Sequence, residues 1–80
     1  MFAWIEALYA RVRDLMPRTQ RDSLDLHLEY GGYGVVFGDC VEFAAKNGLL
    51  TDEDRENVVK TLDLGLLRKA KPHFMELIAA

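Results

Sequence analysis

The chain has 80 residues, of which 50% are hydrophobic and 29% are charged, a balance typical of a globular protein. Thirteen acidic residues against ten basic ones give a formal net charge of −3. Nonspecific nucleic-acid binding is therefore not expected, because it requires a surplus of Lys and Arg to neutralise phosphates. One cysteine excludes an internal disulfide, and the two histidines are too few for the usual structural zinc sites.

The N-terminal region lacks the features of a membrane or export segment. No apolar run approaches the roughly 20 residues that cross a bilayer. Glu6 and Arg11 interrupt the first apolar stretch, which therefore does not resemble a signal peptide. We expect a cytoplasmic protein that does not bind membranes.

The first two predicted elements are amphipathic helices. Apolar residues recur at spacings of three and four between Phe2 and Met16, which predicts a helix with one buried face. Pro17 should end this helix, and Thr19 is the expected N-cap of a second helix that continues to about Tyr30. Gly31–Gly32 should end the second helix, because glycine accepts the left-handed conformation. The predicted stripe of the first helix contains Ile5, Leu8, Val12, Leu15 and Met16.

The third segment, residues 33–47, fits two structures. The composition of residues 33–37 is compatible with a short strand. Helix is favoured, because apolar residues repeat at helical spacing and Gly48 stands where a C-terminal cap belongs. The repeating residues are Val36, Phe37, Cys40, Val41 and Ala44.

Two further helices complete the predicted fold. Thr51 is the expected N-cap of the fourth helix, with Asp54 at the capping-box position and Gly65 at the end. A last helix should begin at Leu66, with an interruption at Pro72. The expected inward residues of these helices are Val58, Val59, Leu62, Leu67, Ala70, Phe74, Leu77 and Ile78. The sequence therefore predicts a single all-α domain over residues 1–80, a bundle of four or five short helices.

No residue pattern indicates catalysis. The sequence contains no HExxH, CxxC or GxGxxG motif that would organise His27 or His73, which we expect to be structural. Cys40 falls on the apolar stripe and should be a buried small hydrophobe. The glycines of residues 31–34 lack the lysine and the preceding strand of a P-loop. We therefore expect no enzyme activity, no cofactor and no metal site.

Charge is concentrated in the middle of the chain. Residues 22–59 hold nine acids against two bases, a net charge of −7, whereas residues 1–21 and 60–80 each carry +2. An acidic segment can steer a basic partner and raise its association rate. The alternative is that these acids only solvate the outer helix faces.

The segment of residues 28–37, LEYGGYGVVF, resembles the central motif of MafI-family immunity proteins. In that family a helix ends in an acid and a glycine, and a Tyr-Gly with aliphatics opens the next helix. The acidic start at residues 51–54 is also similar. The matching residues are Glu29, Gly31, Tyr33, Gly34 and Val35, and the departures are Gly32, Val36 and Gly38. The resemblance implies a protein that binds a cognate bacterial toxin domain and neutralises it by stoichiometric occlusion.

Acid clustering and one aromatic suggest where a partner binds. The predicted partner surface consists of Asp25, Glu29, Tyr30, Asp39 and Glu42. A nuclease toxin with a basic substrate groove would suit the acidic segment, with carboxylates in place of phosphates. Trp4 and Tyr9 are expected at the edge of the first helix's stripe and partly exposed. The alternatives are a helical adaptor or subunit with a non-toxin protein partner, and self-association as a homodimer.

Overall fold

The computed structural model describes residues 2–65 and 68–79, and within them the regular structure is entirely helical. Short 3₁₀ helices at Arg13–Leu15 and Arg68–Ala70 precede α2 and α5. The predicted all-α fold class is confirmed. The α-helices of the described residues are α1 (Phe2–Val12), α2 (Arg18–Glu29), α3 (Tyr33–Lys46), α4 (Asp52–Asp63) and α5 (Lys71–Ala79).

The contacts divide the chain into two compact units, Met1–Cys40 and Val41–Ala80. The division falls within α3, which contributes its first half to the first unit and its second half to the second unit. Each unit is described by itself below. A single domain over residues 1–80 stays a prediction.

In the first unit, α1 buries one apolar face but is shorter than predicted. The buried residues of this helix are Ile5, Leu8, Tyr9 and Val12. The chain leaves the α-helical conformation after Val12, so α-helical spacing no longer decides which side chains point inward. Leu15, predicted to be buried, is 62% exposed, whereas Met16 is buried. The expected exposure of Tyr9 is also wrong, since its side chain is only 3% exposed.

The two ends of α2 are fixed differently. The helix begins at Arg18 with Pro17 at the N-cap position, so Thr19 is not the cap that the sequence predicts. The fixed φ of proline is compatible with this entry, and its carbonyl oxygen accepts from the Arg21 amide at 3.0 Å. At the other end, Gly31 has φ +77°. The predicted end at Gly31–Gly32 is confirmed.

The hydrogen bonds after α2 form a Schellman motif. The Gly32 amide donates to the His27 carbonyl oxygen at 2.6 Å, and the Gly31 amide donates to that of Leu28 at 3.3 Å. These bonds satisfy carbonyl groups that have no partner inside the helix. The turn into α3 is therefore set by backbone geometry.

Helix α3 settles the choice between strand and helix at residues 33–37. All five apolar residues that repeat at helical spacing are fully buried. The helix ends in a second Schellman turn, where Gly48 has φ +66° and the Leu49 amide donates to the Ala44 carbonyl oxygen at 2.8 Å. Helix is confirmed over Tyr33–Lys46.

In the second unit, α4 begins with the predicted capping box. The Thr51 amide donates to Asp54 Oδ2 at 2.9 Å, and the Asp54 amide donates to Thr51 Oγ1 at 3.1 Å. Asp54 is 2% exposed, and the box supplies polar partners for this buried carboxylate. Val58 and Leu62 are buried as predicted, whereas Val59 is partly exposed.

Helix α5 begins later than predicted. It starts at Lys71 after a 3₁₀ turn, and Pro72 lies in its first turn, where amides have no partner within the helix. Phe74 and Ile78 are buried, whereas Ala70 and Leu77 are partly exposed. The predicted positions at Leu66 and Leu67 lie outside the described residues.

Arg55 of α4 holds α5 within the second unit. Its Nε donates to the carbonyl oxygen of Ile78 at 3.0 Å, and its Nη1 donates to that of Leu50 at 3.2 Å. A guanidinium group near the last carbonyls of a helix also complements the helix dipole. Arg55 therefore links the segment before α4 to the C-terminal end of α5.

Candidate protein-binding surface

The five residues of the predicted partner surface lie in different environments. Asp25, Glu29, Tyr30 and Asp39 belong to the first unit, and Glu42 belongs to the second. Tyr30 is 79% exposed and Glu29 is exposed, whereas Asp39 and Glu42 are partly covered. Whether these residues contact a partner stays a prediction.

Asp25 takes part in a network inside the first unit. The Tyr9 hydroxyl donates to Asp25 Oδ1 at 2.6 Å and lies 2.9 Å from the Arg21 carbonyl oxygen. Arg13 Nη2 lies 3.1 Å from Asp25 Oδ2, and its guanidinium stands over the Tyr9 ring. The hydrogen bond from Tyr9, with further help from the charge of Arg13, lowers the pKa of Asp25. Asp25 therefore already has two partners within the chain.

Glu42 is also engaged within its own unit. Its Oε1 lies 2.6 Å from His73 Nε2, and the two side chains are 39% and 53% exposed. The structure thus gives His73 a polar partner on the surface.

Asp39 precedes the single cysteine of the chain. Burial, with a smaller contribution from the Asp39 charge, raises the pKa of Cys40 to about 12. Since the thiolate is the reactive form, the Cys40 thiol is inert at neutral pH. The prediction that Cys40 is a buried hydrophobe is confirmed.

An exposed pair of large side chains at the C-terminal end of α2 extends this surface beyond the predicted residues. Leu26 is 53% exposed and precedes Tyr30 by one helical turn. Together with His27 and Gly32 they line an open pocket of about 340 Å³. The signal was present in the sequence, because Leu26 lies on the opposite side of α2 from the buried Leu24.

The shape of the pocket depends on His27 and Gly32. His27 Nδ1 lies 2.7 Å from the Ser23 carbonyl oxygen. A carbonyl oxygen only accepts, so Nδ1 carries the proton and Nε2 of the neutral ring is a hydrogen-bond acceptor. A Cβ atom at Gly32 would lie 3.1 Å from His27 Cδ2, so a side chain there would press on the imidazole. Glycine at this position lets the backbone pass close to His27.

Ion pairs compensate several charges of the first unit, but not that of Glu29. Ion pairs join Arg13 to Asp25 at 3.1 Å, Arg18 to Asp22 at 3.9 Å, and Arg21 to Asp14 at 3.8 Å. Glu29, next to Tyr30, has no ion-pair partner among the described residues. Its carboxylate is therefore available to a cation from outside the chain.

Residues 2–65 and 68–79, which the structure describes, contain no group of three or more His, Cys, Asp or Glu side chains placed to hold a metal ion. None of their helices combines the length and apolar character required to cross a membrane. Comparison of the chain with protein-family models, with curated proteins and with solved structures found no match.

Proposed function

We propose that this protein is an immunity protein that binds a cognate bacterial toxin domain and neutralises it by stoichiometric occlusion. The observation that carries the proposal is the exposed pair Leu26 and Tyr30, together with the exposed Glu29 that precedes Tyr30 and has no ion-pair partner among the described residues. Tyrosine is frequent among the residues that dominate binding energy, and exposed apolar patches mark interaction sites. The resemblance of residues 28–37 to the MafI-family motif supplies the kind of partner.

The proposed mechanism requires a surface and no turnover. In the first unit the proposed partner residues are Asp25, Glu29, Tyr30 and Asp39, now extended by Leu26, and Glu42 is the proposed partner residue of the second unit. Within it, Glu29 and Tyr30 are the residues most available to a partner, because Asp25 and Glu42 already bind side chains of this chain. A basic groove of a nuclease toxin would match the negative charge, with carboxylates taking the place of substrate phosphates.

Co-expression with the toxin-like C-terminal domain encoded next to this chain tests the proposal. We expect rescue of growth, and a complex of one protein with one toxin domain when the toxin carries an inactivating substitution. A toxin domain from an unrelated toxin–immunity pair is the specificity control and should not be neutralised. Absence of rescue by folded protein would contradict the immunity function and favour the adaptor alternative.

A further inference from the structure

We infer that the pocket lined by Leu26, His27, Tyr30 and Gly32, here called the Tyr30 pocket, receives an apolar side chain from a basic segment of a protein partner. The identity of that partner as the toxin domain rests on the proposed function. The pocket itself is argued from its apolar surface, its hydrogen-bonding groups and its charge.

The apolar surface of the pocket requires an apolar occupant. Leu26 and Tyr30 leave 53% and 79% of their area in water, although both are large side chains. A partner side chain between them removes this area from water, which is favourable in proportion to the apolar area covered. The volume of about 340 Å³ accommodates a side chain as large as tryptophan.

The polar groups at the pocket select donors. His27 lines the pocket, and its Nε2 accepts when the ring is neutral. The carboxylate of Glu29, which precedes Tyr30 in the sequence, only accepts. Lys and Arg carry donors and no acceptor, so they complement both groups. The carboxylates of an acidic partner segment are further acceptors, so they cannot donate to either group.

Charge points to the same occupant. Arg13, Arg18 and Arg21 are each paired with an acid, whereas Glu29 has no such partner among the described residues. The uncompensated charge of Glu29, next to Tyr30 in the sequence, is therefore negative and attracts a cation. A second copy of this chain would place another Glu29 near the first and is a poorer complement.

A short peptide tests the chemistry of the pocket without the toxin. The probe is the capped tripeptide Lys-Trp-Lys, titrated into the ¹⁵N-labelled protein, with Glu-Trp-Glu as the control peptide. We expect amide shifts at Leu26, His27, Tyr30 and Gly32 with the basic peptide, and at least about tenfold weaker binding of the acidic one. Equal binding of both peptides, or shifts centred elsewhere, would overturn the inference. So would concentration-dependent shifts of these amides without peptide, which would identify a second copy as the occupant.

Variants of the lining residues test whether the toxin domain binds at the Tyr30 pocket. Tyr30→Ala and Leu26→Ser should each weaken toxin binding by about tenfold or more. His27→Asn keeps a nitrogen donor near the position of Nδ1 but removes Nε2, and should weaken binding without unfolding the protein. The matched control is Leu15→Ser, because Leu15 is 62% exposed and lies away from the pocket lining. This control should bind the toxin like the parent protein.

The peptide titration and the toxin-binding variants together distinguish a failure of this inference from a failure of the proposed function. Toxin neutralisation that survives both Tyr30→Ala and Leu26→Ser would overturn the assignment of the pocket and leave the immunity function standing. Selective binding of Lys-Trp-Lys by a protein that fails to neutralise the toxin would support the pocket and overturn the immunity function.

Discussion

Tyr9 has a buried ring and a hydroxyl group that faces two acceptors of α2, Asp25 and the Arg21 carbonyl. Burial raises the pKa of Tyr9, and the hydrogen bond to the Asp25 carboxylate acts in the same direction. The phenol is therefore protonated at neutral pH and donates. The hydroxyl thus links α1 to α2 within the first unit.

Tyr9→Phe is expected to lower the free energy of unfolding by about 1 kcal/mol at pH 7, because Asp25 loses a donor while the ring remains. Urea denaturation followed by circular dichroism measures the change. Tyr30→Phe is the control and should cost less than about 0.5 kcal/mol, because that hydroxyl is on an exposed side chain. Equal losses in the two variants would contradict the assigned role of Tyr9.

The same substitution should have a smaller effect in acid. The pKa of Asp25 lies below its ordinary value in the folded protein, and Tyr9 is the largest cause. The stabilisation by ionised Asp25 is present above the ordinary aspartate pKa of about 4 and is lost as the pH falls through the folded-state value. The difference between Tyr9→Phe and the parent should therefore narrow from pH 7 to pH 3. A difference independent of pH would mean that ionised Asp25 is not the partner that matters.

These contacts show why part of the surface was beyond prediction. Asp25 is separated from Tyr9 by 16 positions and from Arg13 by 12, so local spacing gives no sign that they meet. Glu42 and His73 are 31 positions apart. Tyr30, by contrast, is the aromatic residue of the predicted partner surface, and it stands directly before the predicted helix end at Gly31–Gly32, which is a local feature. Sequence patterns identify acidic and aromatic residues that suit a partner surface. Tertiary contacts within the chain decide which of these side chains are available to a partner.

At the scale of single elements, replacement of the left-handed glycine after α2 should measurably lower the free energy of unfolding. Gly31 has φ +77°, and no atom lies within 4 Å of the position that a Cβ would occupy. Gly31→Ala should therefore destabilise the protein by about 1 kcal/mol through backbone strain alone. Gly31→Asn should cost less, because asparagine adopts this conformation more readily.

Urea denaturation of Gly31→Ala, Gly31→Asn and the parent measures this cost. Both variants lack the steric clash that a side chain at Gly32 would meet against His27, so the comparison isolates the backbone. If alanine and asparagine destabilise equally, the left-handed conformation does not limit this turn.

The predicted helices are most accurate where local hydrogen bonds set their ends. The box at Thr51 and Asp54 and the glycines at positions 31 and 48 depend on neighbouring residues, and these ends were predicted. The end of α1 and the start of α5 were wrong by several residues. Both lie beside 3₁₀ turns, whose position depends on packing against other elements and leaves no local sequence signal.

At the scale of the whole molecule, the position of a charge should affect toxin binding more than the net charge of the chain does. The chain carries a net charge of −3, so any basic partner is attracted to it in general. Glu29→Lys places the change beside the Tyr30 pocket, whereas Glu56→Lys makes the same change on an exposed position of α4. Glu29→Lys should weaken toxin binding by about tenfold at low salt and reduce its salt dependence more than Glu56→Lys does.

Affinity measurements from 50 to 500 mM salt test this expectation, since added salt screens interactions between exposed charges. Identical effects of the two charge reversals would show that only the net charge of the chain acts on the partner. In that case the binding of the toxin would not depend on an acid at the position of Glu29.

The short helices should allow the protein to fold soon after its synthesis. Each of the five α-helices in the part of the chain that the structure describes contains at most 14 residues, and each backbone hydrogen bond of an α-helix joins residues four positions apart. Helical proteins dominated by such local contacts fold within about microseconds to milliseconds, far faster than translation adds the next residues. In the proposed role, a newly synthesised chain can therefore sequester toxin almost as soon as it leaves the ribosome, and protection is limited by the rate of synthesis.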